Sequence, residues 1–304
     1  MKMFESDTSK KEVLDKYFEN PEVLKFDGFP EGGIEIIDLD PQEKKTDTPL
    51  MIIPGWAATA EVCKENSQIF SEELGRRTIT INAPHGIETN PQEDTPLAEL
   101  RKAVAITKIM EAKNIEKVDV LTHSEGALFT TIAAMQNPEK FRSIVYFAPA
   151  GLIGEDNFWQ LISRFSSDLF QQWKDRKKSP ERESKINTAL IEALKTFRNP
   201  KMSLDEIMAI ADSQIQENLR ELKQSGVKII IMHPVGDKAF PMERMQRMVD
   251  GGMVNGFISV GDAKKTGEVA ETHNAWYLTP RKYTLAIDSI LKSIEEKEQY
   301  IDPK

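Results

Sequence analysis

The sequence predicts an α/β fold, in which a mostly parallel sheet is flanked by helices and carries an all-helical insertion. Short apolar segments rich in β-branched residues alternate with longer segments whose apolar residues recur at helical spacing. The strand-like segments are apolar on both faces, which is typical of a parallel sheet covered by helices on each side. This alternation stops between residues 153 and 225, where no strand candidate occurs.

The first half of the chain contains five strand candidates. Residues 1 to about 30 are polar and hold one helical candidate, near residues 11–18. The first strand candidate alternates apolar and polar residues, and we expect it to form an antiparallel hairpin that leads to the next segment. The later candidates are more uniformly apolar, which suits central positions. In order, the five segments are residues 34–39, 50–53, 77–82, 118–121 and 143–148.

Helical patterns connect these strand candidates. Gly75 is expected to end the first helix, and Thr95 and Pro96 form an N-cap and first-turn pair for the second. Asn137 and Pro138 close the third helix. The three helices are predicted over residues 60–74, 95–113 and 126–136.

The insertion is predicted to contain three helices. The first has aromatic and aliphatic residues along one face, and the second covers residues 186–197. Ser203 and Glu206 have the spacing of a capping box, which indicates the start of the third. We therefore predict an α/β core formed by residues 1–152 and 226–304, and a helical insertion formed by residues 153–225.

The strand pattern resumes after the insertion. Residues 227–232 form an apolar strand candidate, and residues 256–260 form the last one. A short helix is predicted between them over residues 243–249. Thr279 and Pro280 then open a final amphipathic helix.

The composition limits the classes of partner. The formal net charge of −9 is spread in mixed clusters, which argues against a nucleic-acid partner because such partners require a basic face. No histidine and cysteine residues have zinc spacing, and no glycine-rich loop has the form of a phosphate site. We therefore predict neither a metal nor a cofactor, and the sequence does not indicate an oligomeric state.

The cysteine content and the hydropathy pattern bear on location. The single cysteine, Cys63, excludes an intrachain disulfide and is expected to be buried or inert. No run approaches the ~20 apolar residues of a membrane span, and the N-terminal residues lack the apolar core of a signal peptide. We therefore predict a cytoplasmic protein without a membrane span.

One serine lies between a strand candidate and a helix. Residues 118–121 are largely apolar and β-branched, and Gly126 begins an apolar run at helical spacing. A strand, a serine and a helix in this order form a turn that exposes the hydroxyl of Ser124, while a small residue two places later lets the helix pass the strand. The next backbone N–H, that of Glu125, is then available to a developing oxyanion.

Other polar residues follow the neighbouring strands. Residues at the carboxyl ends of parallel strands meet along one edge of a sheet, so Trp56, Ser124, Asp237 and His273 are expected to lie together. A serine hydroxyl is a weak nucleophile and needs a base, and the base needs an acid to orient it. These are the residue types of nucleophilic acyl transfer.

The chain order Ser, Asp, His and the surrounding loops resemble those of the α/β-hydrolase fold family, from about Gly32 to Ile294. The segment Pro54-Gly55-Trp56 stands where the family has His-Gly-x. Residues 82–86 resemble the family's loop after the next strand, residues 236–241 resemble its acid loop, and His273 resembles its histidine. The departures are Pro54 for His, Thr122 for the first glycine of the turn, Asn82 for Asp, and a missing glycine before His85.

The resemblance implies a sheet of the eight-stranded type, with the helical insertion as a cap between strands 6 and 7. It also implies a role for each residue. Ser124 would be the nucleophile, His273 the base and Asp237 the acid, and the backbone N–H groups of Trp56 and Glu125 would bind the oxyanion. The helical insertion would cover the pocket and select the substrate.

Other residues compete for two of these roles. His85, His123 and His233 are alternative bases, of which His123 and His233 are expected to be structural and His85 is a possible substrate contact. Asp262, Glu268 and Glu271 are alternative acids, and all three lie in a polar loop.

These features predict a serine hydrolase that acts on a small or medium carboxylic ester or a related acyl bond, with a small acyl compound as its substrate. Three further activities remain open on the same fold: hydrolysis of C–C bonds, perhydrolysis and acyl transfer to another acceptor. A non-catalytic protein that binds a small molecule is a further alternative, because a fold does not by itself fix a function.

Overall fold

A computed structural model describes residues 15–26, 33–81, 95–154, 156–178, 180–196, 200–261 and 271–301. It contains one eight-stranded sheet in the order β1-β2-β4-β3-β5-β6-β7-β8. Strand β2 is antiparallel to both β1 and β4, and the remaining neighbours are parallel. The predicted α/β class with a mostly parallel sheet is therefore confirmed. The strands are Glu22–Leu24, Ile34–Leu39, Leu50–Ile53, Thr78–Ile81, Val118–His123, Phe141–Phe147, Lys228–Pro234 and Gly256–Val260.

The described residues form ten α-helices between Lys64 and Ile301, and residues 15–19 form a further helical turn. A single π-helical segment, Ile69–Glu73, follows α1, so the predicted first helix is shorter and less regular than its sequence pattern. In order, α1 to α10 are Lys64–Gln68, Thr95–Ala112, Gly126–Gln136, Phe158–Asp175, Pro180–Thr196, Pro200–Asp212, Gln216–Gln224, Met242–Met248, Ala275–Leu278 and Pro280–Ile301.

The antiparallel edge of the sheet differs from the prediction in two ways. Strand β1, Glu22–Leu24, was not expected, because it has only three residues, two of which are exposed. Strand β2 does not pair with the next strand along the chain. Its partners are β1 and β4, because β3 lies further into the sheet between β4 and β5.

Four helices, α4 to α7, lie between β6 and β7, where three were predicted. Helix α5 begins at Pro180, six residues before the predicted start of the second helix at residue 186. The predicted capping box is wrong, because α6 begins at Pro200 and Ser203 and Glu206 both lie inside it with buried side chains. The predicted third helix is divided in two. Helix α6 ends at Asp212, and α7 begins at Gln216.

Apolar side chains cover both faces of the sheet. Alternate residues of one strand point to opposite sides, so Met51 and Ile53 join one core cluster while Leu50 and Ile52 join the other. The first cluster includes residues of α2, α3 and α7, and the second includes residues of α9 and α10. Cys63 is buried in the second cluster, and this burial raises the pKa of its thiol. Among the described residues, none of the helices combines the length and the apolar character that a membrane crossing requires.

A buried ion cluster lies at the amino-terminal ends of β5 and β6. The carboxylate of Asp119 accepts hydrogen bonds from Arg76 Nη1 at 3.1 Å, from Arg142 Nε at 2.9 Å and from Ser143 Oγ at 2.6 Å. Glu295 of α10 binds the same two arginines at 2.9 and 2.6 Å. The cluster therefore ties the last helix to two central strands.

We expect Asp119→Ala to lower the free energy of unfolding by about 3–5 kcal/mol, because it removes the more deeply buried of the two carboxylates that the two guanidinium groups share. Urea unfolding followed by circular dichroism measures this change. Asp40→Ala is the matched control, because the ion pair of Asp40 with Lys44 is exposed and should contribute less than about 1 kcal/mol. Equal losses for the two variants would contradict the assignment.

Candidate active site

The backbone turns sharply at Ser124. Strand β5 ends at His123 and helix α3 begins at Gly126, so Ser124 lies at the carboxyl edge of the sheet. Its φ angle is +53°, in the left-handed region that non-glycine residues rarely adopt. The Ser124 N–H donates to Phe147 O, and its carbonyl accepts from the N–H groups of Ala127 and Ala150. Neighbouring strand and helix backbone therefore holds the strained conformation.

Two glycines allow this turn to form. A Cβ atom on Gly126 would lie 2.8 Å from both Pro54 O and Thr122 Oγ1, and a Cβ on Gly55 would lie 2.7 Å from Ser124 Cβ. Thr122 replaces the first glycine of the usual turn motif, and its hydroxyl accepts a hydrogen bond from Thr130 Oγ1 at 3.2 Å. The threonine is accommodated because its hydroxyl fills the space beside Gly126.

Ser124, His273 and Asp237 form a continuous hydrogen-bonded chain. The distance from Ser124 Oγ to His273 Nε2 is 2.9 Å, and that from His273 Nδ1 to Asp237 Oδ2 is 2.8 Å. With Nδ1 protonated, the ring donates to Asp237 and accepts the hydroxyl proton of Ser124. All three side chains are buried, so the chain is largely shielded from water.

Asp237 and His273 lie on two adjoining loops. Asp237 follows β7, and its Oδ1 accepts the Phe240 N–H at 2.9 Å. His273 precedes α9. The two loops are joined where the Gly236 N–H donates to Glu271 O at 3.0 Å, and a side chain on Gly236 would collide with that carbonyl.

The electrostatics of this pair favour an imidazolium beside a carboxylate. Burial opposes the charged form of His273, but the charge and hydrogen bond of Asp237 outweigh it and raise the pKa of His273 above its ordinary 6.5. Burial likewise acts to raise the pKa of Asp237, but the charge and hydrogen bond of His273 outweigh it and hold that pKa below its ordinary 3.8. Asp237 is therefore placed to stabilise a proton that His273 accepts.

Trp56 and Glu125 are both close to Ser124, the first through the shared pocket and the second as its neighbour in the chain. Trp56 follows β3 and lines the same pocket as Ser124, and Ala57 after it has a φ angle of +61°. Glu125 immediately precedes α3, where the first N–H groups of a helix have no intrahelical acceptor. The Trp56 indole donates from Nε1 to Glu206 Oε2 at 3.0 Å.

The side chain of Glu125 belongs to a buried cluster that the sequence did not predict. Lys102 Nζ of α2 donates to Glu206 Oε1 at 2.6 Å, to Glu125 Oε1 at 2.7 Å and to Glu99 Oε1 at 3.1 Å. Burial opposes the charge of Lys102, but the three carboxylates raise its pKa well above the usual value. Burial and the two other glutamates raise the pKa of Glu125 despite Lys102. A protonated lysine thus lies among the carboxylates, and no group of described residues has the arrangement of a metal site.

A cavity of about 450 Å³ opens above Ser124 and His273. Its walls come from the loop after β3 and from helices α4 and α5. Most of the lining is apolar, as is usual for pockets that take small organic molecules. The aliphatic and aromatic part of the lining includes Val62, Phe165, Leu169, Phe170, Ile186 and Leu190.

Two of the alternative histidines are buried beside the chain of three residues. His123 Nε2 lies 3.1 Å from His273 O, and burial, followed by the charge of His273, lowers the pKa of His123 to about 3. His233 Nε2 lies 2.7 Å from Phe240 O, and burial lowers its pKa. Both rings are therefore neutral and contact the loops that carry His273 and Asp237. His85 lies outside the described residues.

The alternative acids do not contact His273 in the part of the chain that the structure describes. Glu271 accepts hydrogen bonds from Lys282 and from the Tyr283 hydroxyl. Asp262 and Glu268 lie outside the described residues.

Sequence reasoning missed one acid close to the site, Asp168 of α4. Its Oδ1 accepts the N–H groups of Lys238 at 3.1 Å and of His273 at 3.5 Å, and its Oδ2 accepts from Gln172 Nε2 at 2.6 Å. Burial, followed by the charge of Asp237, raises the pKa of Asp168. Asp168 lies three residues after Phe165, so a carboxylate on the apolar face of a helix was the available signal.

Comparison with known proteins agrees with this architecture. The model of the alpha/beta hydrolase fold family matches residues 48–240. A serine hydrolase from Cycloclasticus zankles superposes with a TM-score of 0.67 at 12% identity, covering 90% of this chain and 98% of the other. A thermophilic esterase from Thermogutta terrifontis gives 0.62 at 13% identity, with 90% and 99% covered. A carboxylesterase from Nitrososphaera gargenis gives 0.61 at 12% identity, with 91% and 100% covered.

At these identities the solved structures show the same fold, and no curated protein matches the sequence significantly. The family model covers more than half of the chain, including strands β3 to β7 and the loop that carries Asp237. Together with the strand order and the turn at Ser124, the match places the chain in the alpha/beta hydrolase fold family.

Proposed function

We propose that the protein is a serine hydrolase that cleaves a small or medium carboxylic ester, or a related acyl bond, through an acyl-enzyme. The observation that supports this most directly is the chain from Ser124 Oγ through His273 to Asp237, with distances of 2.9 and 2.8 Å. Its open end lies in a largely apolar cavity that has room for a small acyl compound.

In the first half of the reaction, Ser124 becomes acylated. His273 Nε2 takes the hydroxyl proton as Ser124 Oγ bonds to the carbonyl carbon of the substrate. The carbonyl electron pair moves to oxygen, and the N–H groups of Trp56 and Glu125 stabilise the resulting oxyanion. When the oxyanion collapses, the bond to the alcohol oxygen breaks and His273 gives its proton to the departing alcohol.

In the second half, water releases the acid. His273 takes a proton from a water molecule, and the hydroxide bonds to the acyl carbon. The bond to Ser124 Oγ then breaks, and the proton returns from His273 to the serine. Asp237 keeps Nδ1 protonated throughout and stabilises the imidazolium in both halves.

We expect the purified protein to hydrolyse p-nitrophenyl butyrate and to be labelled by a fluorophosphonate on Ser124. Ser124→Ala should abolish labelling and lower kcat/KM by about 10⁴-fold or more, because the nucleophile is lost. The assay is absorbance of p-nitrophenolate, with the labelled peptide identified by mass spectrometry.

Ser289→Ala is the matched control, because Ser289 is exposed on α10 and donates only to Leu285 O. It should leave both activities unchanged. Unchanged turnover in Ser124→Ala would exclude the proposed nucleophile, and a wild-type protein that the fluorophosphonate does not label would favour a non-catalytic binding role.

The pH dependence of kcat/KM should report the state of His273. The base works only when Nε2 is unprotonated, and Asp237 raises the pKa of His273, so activity should be lost on acidification with a midpoint above 6.5. Asp237→Asn removes the charge that raises this pKa. The midpoint should therefore move to lower pH, while the plateau rate falls by about 10⁴-fold.

Glu271→Gln is the control for this experiment, since the side chain of Glu271 contacts Lys282 and Tyr283 instead of the histidine. Its midpoint should equal that of the unaltered protein. A midpoint that stays in place in Asp237→Asn would show that another group controls the acidic loss of activity.

A further inference from the structure

The cavity above Ser124 opens onto an apolar rim. Leu169, Phe170 and Trp173 of α4 and Leu190 of α5 line the cavity, yet about half of each side chain is exposed. The rings of Phe170 and Trp173 stack with centroids 6.1 Å apart. The same apolar surface therefore faces both the cavity and the solvent.

The apolar surface extends beyond the cavity along α5. Ile191 is 57% exposed and Leu194 is 69% exposed, and neither lines the cavity. Leu194 lies one helical turn after Leu190, so the side chains of Leu190 and Leu194 lie along the same edge of α5. We call Leu169, Phe170, Trp173, Leu190, Ile191 and Leu194 the apolar rim. Exposed apolar residues that gather around a cavity mouth mark an interaction site.

A basic segment borders this rim. Residues 174–178 carry four basic side chains and one acid, Asp175, which is buried and binds Lys178. Lys174 lies 4.5 Å from the ring centroid of Phe170, and the guanidinium of Arg176 lies 3.8 Å from that of Trp173. This positive segment is set in a chain whose net charge is −9.

We propose that the apolar rim and the basic segment dock on an anionic lipid surface, so that the cavity receives the acyl chain of an amphiphilic ester. Apolar side chains beside lysine and arginine suit a surface with acyl chains inside and anionic head groups outside. A symmetric contact between two copies would instead bring the two basic segments towards each other. The acyl substrate rests on the proposed hydrolase function, whereas the docking does not.

Co-sedimentation with vesicles tests the docking without any turnover. The full-length Ser124→Ala protein should sediment with vesicles of phosphatidylglycerol and phosphatidylcholine, and much less with phosphatidylcholine alone. Lys177→Glu/Lys178→Glu and Ile191→Ser/Leu194→Ser should each weaken this binding at least about tenfold, by loss of charge and of apolar contact respectively. Because these four residues do not line the cavity, the same substitutions in the unaltered protein should retain turnover of a soluble ester.

Leu100→Ser/Leu285→Ser is the matched control, because these exposed leucines lie on α2 and α10 and do not line the cavity. Introduced into the Ser124→Ala protein, these substitutions should leave its binding to vesicles unchanged. Absence of binding to anionic vesicles would overturn the proposal. A dimer in light scattering would also overturn it, if Ile191→Ser/Leu194→Ser converted that dimer to a monomer and Lys177→Glu/Lys178→Glu did not. Loss of ester turnover with intact vesicle binding would count only against the hydrolase function.

The carboxylate of Glu206 on α6 makes two contacts beside the site. One of its oxygens accepts from Trp56 Nε1 at 3.0 Å, and the other accepts from Lys102, which also donates to Glu125 at 2.7 Å. A single buried carboxylate from the inserted helices thus connects to the two residues whose N–H groups are assigned to the oxyanion. We infer that Glu206 is a positioning residue that fixes the spacing of these two donors.

This inference also rests on the proposed hydrolase function, and steady-state kinetics test it. Glu206→Gln replaces one of the two acceptor oxygens by an N–H₂ donor, so it breaks the contact with either Trp56 or Lys102 and removes the negative charge beside Lys102. Trp56→Phe removes the indole N–H and keeps the backbone donor. Each should lower kcat about tenfold or more with KM within about twofold, because oxyanion contacts act in the transition state. The double variant should lose less than the product of the two single losses.

Asp38→Asn is the control, because Asp38 is a largely buried carboxylate that binds Arg77 on the antiparallel edge of the sheet. It should lower Tm and leave kcat unchanged. A purely structural Glu206 would behave like Asp38, with a lower Tm and an unchanged kcat in both Glu206→Gln and Trp56→Phe, and that result would overturn the inference. Fluorophosphonate labelling of Ser124 in each variant shows separately whether the nucleophile is active.

Discussion

The left-handed turn at Ser124 is the constraint on which the site depends. A serine at φ +53° is strained, so the surrounding backbone must hold it. Hydrogen bonds from β6 and from the start of α3 do so, and they require close contact with the loop after β3. Gly55 and Gly126 are needed there because even a methyl group would collide with Ser124 or Pro54. Strand β3 lies beside β5 in the sheet, which brings the loop after β3 next to Ser124.

The inserted helices line the cavity and also make polar contacts with the site. Asp168 of α4 binds the backbone of the two loops that carry Asp237 and His273, and Glu206 of α6 binds Trp56 and Lys102. These contacts are buried, so their hydrogen bonds are strong and their loss is costly. The insertion therefore contacts the site at two points, on the side of Asp237 and His273 and on the side of Trp56.

Buried charge is concentrated at both ends of the central strands. Asp119 and its two arginines hold the amino-terminal end, while Asp237, His273 and the Lys102 cluster lie at the carboxyl end. In both groups carboxylates lie beside basic side chains, because the low dielectric of the interior makes an unpaired charge costly. The first group stabilises the sheet. The second shifts the pKa values of residues beside the cavity, which is typical of functional sites.

The sequence alone determined the α/β class and the turn at Ser124, because strand and helix periodicity and a strand–serine–helix junction are local patterns. The sequence also predicted that Asp237 and His273 lie beside Ser124, since the carboxyl ends of parallel strands meet at one edge of the sheet. Only the tertiary structure decided the roles of Lys102, Asp168 and Glu206. Helical spacing shows that such residues face inward, but their partners depend on how helices far apart in sequence pack together. The three-residue strand β1 likewise has no local signal, because its exposed side chains leave only backbone pairing with β2 to define it.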